Sequence, residues 1–193
     1  PDRVLAQDPT IKLRGLEHLA NPGIPLPRDI YGANRAAAAG VDLADIDSLR
    51  RVVADLDRCR EQAAALGCDR SVPGALPVVD PAHRQDILGH YLPATKQEMD
   101  QSVQRAQGAF GDWSALPVRE RADIMRRAAE LMEHDCAELS GYCIHEAGKT
   151  LRDSVADVRE AVDFCRYYAE QAELLLNRSG DPPAPRGVVL CIS

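Results

Sequence analysis

Aromatic side chains are scarce in this 193-residue sequence, at 4%, so its core must be assembled from Ala, Val, Leu, Ile and Met, the residues that packed helices use. No apolar run approaches the ~20 residues that a membrane-spanning helix requires. Charge of one sign is never concentrated: 23 basic residues face 30 acidic ones, for a formal net charge of −7, and the two signs alternate along the chain. Such a surface lacks the basic footprint of a phosphate-backbone binder, which argues against nucleic acid as a partner. The six cysteines contain no C-x-x-C pair, and His18, His83, His90, His134 and His145 bring no ligand spacing to them. A zinc site and a secreted disulfide framework are therefore not expected. The cysteines read as reduced thiols, mostly small core residues, in a protein of the cytoplasm. Also missing are G-x-G-x-x-G, the P-loop, G-x-S-x-G and H-E-x-x-H, so no short motif with its own mechanism announces a chemistry.

What is present is helical periodicity, and it stops before a run of another kind. From Arg186 the chain reads Gly-Val-Val-Leu-Cys-Ile-Ser193, a β-branched apolar run suited to a strand buried on both faces of a parallel sheet. One strand is not a sheet. Pro1 is not an initiator methionine and Asp2-Arg-Val-Leu-Ala-Gln7 is no signal sequence, so the chain reads as a piece of a longer protein.

Residues 1–45 lack sustained periodicity and are punctuated by Pro22-Gly23, Pro25, Pro27 and Gly32, which predicts an extended segment with a short helix near Ile11 to Leu19. Asp45 or Asp47 caps the next helix, whose Leu49, Val52, Val53, Leu56, Cys59 and Ala63 recur at helical spacing until Gly67. After a linker from Ser71 to Pro77, Leu76–Val79 and Ile87–Leu92 read as a hairpin. Thr95-Lys-Gln-Glu98 is a capping-box pattern, and Met99, Val103, Ala106 and Phe110 give the helix it starts one apolar face. The helix after Pro117 carries Ile124, Met125, Ala128, Ala129, Leu131 and Met132 inward and Arg119, Glu120, Arg121, Arg126 and Arg127 mostly outward. A further helix runs from Cys136 to Ala147, with Gly148 as a left-handed cap. The last one sets Leu151, Val155, Val158, Val162, Cys165, Ala169 and Ala172 in a single seam. It breaks after Asn177, in Ser-Gly-Asp-Pro-Pro-Ala-Pro185.

Candidate functional residues have plain structural readings from the residues alone. Glu146-Ala-Gly-Lys149 reads as a helix C-cap with a solvated lysine. Arg159, Glu160, Asp163 and Arg166 read as an exposed charged stripe. Tyr167-Tyr168 reads as packing, and the thiol of Cys191, in the expected buried strand, as inert.

In order, Val78-Val-Asp-Pro81, Ile87-Leu-Gly89, Pro93-Ala-Thr95, Val103-x-x-Ala106, Trp113, Arg119-x-Arg121-Ala122, Leu131-Met-Glu133, Glu146-Ala-Gly-Lys149 and Gly187-Val-Val-Leu-Cys-Ile-Ser193 resemble the opening of the aldehyde dehydrogenase superfamily. Val158-Arg-Glu-Ala-Val-Asp-Phe-Cys-Arg-Tyr-Tyr-Ala169 resembles a helix of the glutamate-γ-semialdehyde (pyrroline-5-carboxylate) dehydrogenases. Ile24-Pro-Leu-Pro-Arg-Asp-Ile-Tyr-Gly32 and Gly40-Val-Asp-Leu43 resemble the connection in bifunctional proline-utilisation enzymes, where a flavin (FAD) proline dehydrogenase precedes the aldehyde dehydrogenase. In place of the Asn-Ser pair of that family, this chain has Ala36-Ala-Ala-Ala39.

The resemblance implies an α/β fragment, mostly α-helical: the N-terminal hairpin, helical layer and first strand of an aldehyde dehydrogenase-type dinucleotide-binding domain. It implies an arm with one helix over 1–75, following a proline dehydrogenase domain, and the aldehyde dehydrogenase part over 76–193. It implies NAD as cofactor, a small-molecule substrate and a homo-oligomeric parent. Ile192 and Ser193 would touch the cofactor, because strand ends in such sheets face the ligand crevice. Glu160 would lie near the α-amino end of the substrate. No catalytic residue and no metal ligand falls in the chain, since the family's nucleophile, its water-activating glutamate and its glycine-rich loop belong to later sequence. Two rivals remain: an NAD(P)-dependent aldehyde dehydrogenase for another substrate, and a non-catalytic helical docking or spacer module with a two-fold interface along the Leu151–Ala172 seam.

Overall fold

In the computed structural model the described residues are 14, 21, 23–33, 35–63, 70–177 and 183–192, with 57–63 described by their backbone alone. The elements follow as a 3-10 turn Pro27–Asp29, α1 (Ile46–Ala63), β1 (Leu76–Val79), β2 (Ile87–Tyr91), α2 (Lys96–Ala115), α3 (Val118–His134), α4 (Cys136–Ala147) and α5 (Leu151–Leu176). Apart from Arg14, which is helical, the short helix expected at 11–19 lies outside the described residues, as does Gly67.

Local chemistry starts and stops these elements where the sequence indicates. Asp45 accepts the Ser48 N–H at 2.9 Å and opens α1, satisfying an amide that has no partner inside the helix. The capping box at α2 is complete: Thr95 Oγ1 accepts from Glu98 N, and Glu98 Oε2 accepts from Thr95 N at 2.7 Å. Thr150 repeats half of that device at α5 by accepting from Asp153 N. Gly148 closes α4 at φ 66°, with its N–H and that of Lys149 returning to the carbonyls of Ile144 and Cys143. The hairpin is antiparallel, with Leu76 opposite Tyr91 and a bulge between Val78 and Val79.

The core lies along α5. It packs most extensively on α3 and next on α4, while α1 lies on α4. Val155, Val158, Val162 and Ala169 are buried in that seam. At its centre Val162 is 1% exposed and meets Ala129 and Ala38. Small residues at the crossing let the helix axes come close. Because the seam is spent inside the chain, it is not the free surface that a two-fold docking module would need. Contacts also join the segments on either side of residue 75, through α1 on α4 and through Ala38 and Ala39 on α5 and α3.

Four expectations are corrected. Ile124, Met125 and Leu131 are exposed, and α3 buries Ala122 and Ala129 instead. At 100° per residue Ile124 and Leu131 fall opposite the Ala122–Arg126–Ala129–Glu133 line, so α3 has two candidate faces and α5 selects the small one. Arg126, expected outward, sits on that inner line and pairs with Glu173 of α5. The run from Gly187 to Ile192 forms no strand: Val188, Val189 and Leu190 are exposed, Cys191 is exposed, and Ile192 is 90% exposed. A buried parallel strand needs a ladder on each side, and the two-stranded β1–β2 sheet supplies none. Likewise Met99 and Val103 of α2 are exposed, because no element among the described residues makes more than a slight contact with that helix.

Candidate functional site

The charged face of α5 is not a free stripe. Asp163 Oδ1 accepts the Ala38 N–H at 2.8 Å, and Glu133 Oε1 of α3 accepts the Ala39 N–H at the same distance. Arg166 donates to Glu133 Oε2 at 2.5 Å. Two carboxylates thus hold consecutive amides of an otherwise side-chain-poor segment, where Ala37 and Ala38 are small enough to be buried. The alanine segment thus keeps a polar attachment, made by its backbone. Arg166 holds the Glu133 carboxyl below the ordinary carboxylate range, with burial opposing and the Ala39 N–H helping.

Beside this strap lies a cavity of 540 Å³ lined by Tyr31, Arg35, Arg159, Glu160, Asp163, Phe164 and Tyr167. Its floor is one face of α5; its far wall is the arm. Arg35 stacks over the Tyr31 ring, 3.9 Å from the centroid, lies 5.1 Å from that of Tyr167, and reaches Glu170 Oε2 with Nε at 3.3 Å. Phe164, Tyr167 and Tyr168 form a cluster with centroid separations of 5.9 and 5.2 Å. Glu160 is exposed at the mouth. A carboxylate beside aromatic faces suits an organic cation. A second cavity, of 620 Å³, lies between Arg28, Arg126, Arg166, Glu130, Glu133 and Glu170. There the arginines are mostly matched by glutamates, which fits an ion-pair network between arm, α3 and α5. Arg126 and Glu173 show the match: the pairing raises the guanidinium pKa and lowers that of the carboxyl.

Two features escaped sequence reasoning. Asp80 is buried in the hairpin connection, where its Oδ1 accepts from Ala82 N and its Oδ2 faces His145 Nδ1 of α4 at 3.3 Å. Burial pushes this carboxyl up, and the Ala82 and His83 amides with His145 pull it below its usual value. An Asp-Pro turn signals the connection, but nothing local signals His145, 65 residues away. Lys149, expected to be solvated, pairs with Asp157 of α5, which raises its pKa.

Of the expected cofactor residues, Ile192 stands on the exposed run and Ser193 lies outside the described residues. Neither cavity is lined by Ile192. Among the described residues no group of three His, Cys, Asp or Glu is placed to hold a metal ion, and no helix is long and apolar enough to cross a membrane. Cys136 is a poor nucleophile here, since burial raises its thiol pKa.

A helical layer with one hairpin and a strapped arm defines part of an α/β domain. The sequence profile described as the aldehyde dehydrogenase family matches residues 69–193, and the chain belongs to that family. It is 38% identical to the bifunctional protein PutA of Escherichia coli strain K12 over 100% of this chain and 15% of that protein. Against the 1-pyrroline-5-carboxylate dehydrogenase of Geobacillus thermodenitrificans it is 33% identical, covering 72% of this chain and 26% of that one. A crystal structure of a Bradyrhizobium japonicum proline utilization A variant superposes with a TM-score of 0.63 at 27% identity, covering 96% of this chain and 16% of that chain. The chain therefore spans about 15% of the length of the PutA relatives it matches first.

Proposed function

We propose that this chain is the opening part of an NAD-dependent L-glutamate γ-semialdehyde (pyrroline-5-carboxylate) dehydrogenase in proline catabolism, within a bifunctional cytoplasmic protein. In that reading, residues 1–75 are the arm after an FAD-bearing proline dehydrogenase domain, and the complete protein is a homo-oligomer. The observation that carries the reading is the likeness to PutA along the whole chain, arm included. An aldehyde dehydrogenase for another substrate would account for residues 76–193 and leave the Pro25–Leu43 block unexplained.

The segment contributes scaffold and substrate recognition. Glu160, at the mouth of the α5 cavity, pairs with the α-ammonium of the semialdehyde, a charge-assisted contact worth ~1.5–3 kcal/mol when partly desolvated. It acts on recognition because the ammonium is remote from the reacting carbonyl. Ile192 and Ser193 meet NAD once other sequence pairs with their run. No chemical step falls to this segment. In the complete protein, Glu160→Gln should lower kcat/KM for glutamate semialdehyde and spare propanal, while the isolated 193-residue chain, run as a control, forms no NADH. Equal losses on both aldehydes, or none on either, return Glu160 to the helix surface.

A further inference from the structure

The cavity around Glu160 is built by two stretches of chain more than a hundred residues apart. Helix α5 alone presents Glu160, Asp163, Phe164 and Tyr167 on an open convex face, and a convex face encloses nothing. Concavity comes from the arm, which supplies Tyr31 and Arg35. Three contacts fix the arm there. Asp163 and Glu133 hold the amides of Ala38 and Ala39. Gly40, at φ 67°, comes so close to Arg159 that a Cβ at residue 40 would stand 2.6 Å from Arg159 Cδ. Arg35 lies over Tyr31, near Tyr167, and within ion-pair distance of Glu170.

We infer that Tyr31 and Arg35 complete the amino-acid end of the substrate site: Tyr31 is its second wall, and Arg35 is the positioning residue that holds that wall against α5. Arg35 is itself largely buried, and its charge is matched by Glu170. It is therefore a strut, and the ligand's ammonium is left to Glu160 and to the ring faces that Arg35 does not cover. The inference rests on the reading of this cavity as the substrate's ammonium end. The arm then sets specificity without touching the reacting carbonyl.

The test uses the complete protein and two readouts: L-glutamate binding by calorimetry, and steady-state kinetics with glutamate semialdehyde and propanal. Tyr31→Ala removes the ring that Arg35 stacks on, whereas Tyr31→Phe keeps it. Tyr31→Ala should weaken L-glutamate binding and raise KM for the semialdehyde about fivefold to tenfold, the scale of one stacking contact. Semialdehyde kcat and propanal turnover should stay unchanged, and Tyr31→Phe should behave as wild type. Arg35→Ala should shift the same two quantities in the same direction. Unchanged L-glutamate binding in Tyr31→Ala overturns the inference, as does a parallel loss on propanal, which would mark a merely structural ring. If Glu160→Gln weakens glutamate and Tyr31→Ala does not, the arm's role falls and that of Glu160 stands. If Tyr31→Ala acts and Glu160→Gln does not, the wall is right and the ammonium partner is wrong.

Discussion

Helices α5 and α2 carry the same kind of amphipathic pattern, but one buries its apolar stripe and the other does not. Along α5, Val155, Val158, Val162 and Ala169 are buried against α3, α4 and the arm. Along α2, Met99 and Val103 are more than half exposed, and the helix buries no residue fully. The two helices start by nearly the same chemistry, a threonine cap answered three residues later by an acid. The difference is therefore one of partners. A periodic stripe specifies which side of a helix is to be covered, and says nothing about whether the cover lies in the same stretch of chain.

The comparison breaks most readily at the crossing of α3 and α5. Ala129 is 0% exposed against Val162, so Ala129→Leu should cost about 1–3 kcal/mol through overpacking. Val103→Ser on α2, measured by the same urea titration, should stay within about 0.5 kcal/mol. Equal effects at the two sites would mean that α2 is packed after all. A smaller loss is expected where α4 hands over to α5. Gly148 has φ 66°, and a Cβ there would meet the Pro81 ring at 3.3 Å, so Gly148→Val should cost on the order of 1 kcal/mol or more. An unchanged melting temperature would count against the left-handed cap.

The smallest effect is the one most specific to the strap. Glu133 has its pKa depressed by Arg166 and the Ala39 amide. Its contribution is therefore complete above the unfolded carboxylate value of ~4.3 and is lost as pH falls through that value toward the lower, folded one. Melting temperature followed from about pH 5 to about pH 3 should fall less steeply in Glu133→Gln than in wild type. Parallel curves would show that the carboxylate is not what fastens the arm.

Much of this was legible in the residues. The bounds of α3, α4 and α5, the hairpin, the capping box at Thr95 and the cap at Gly148 follow from spacing and from residues whose side chains or φ angles act on their own neighbours. The α5 seam was legible too, since an unbroken apolar line over so long a helix leaves one side to bury. The inner face of α3 was not, because Ile124 and Leu131 advertise hydrophobicity while Ala122 and Ala129 offer only closeness. Nor was the candidate site. Arg159, Glu160, Asp163 and Arg166 look like any solvated stripe until Ala38 and Ala39 bring their amides to Asp163 and Glu133.

Sequence by itself determined the local events: where helices begin and end, where the chain turns, and which side of α5 is apolar, because each depends on residues a few positions apart. Tertiary structure alone decided which apolar face finds a partner and which charges leave water. It also made a wall of Tyr31. Those outcomes depend on groups far apart in the chain meeting in space, and a strand or a strap is stable only when its hydrogen-bonding partners arrive.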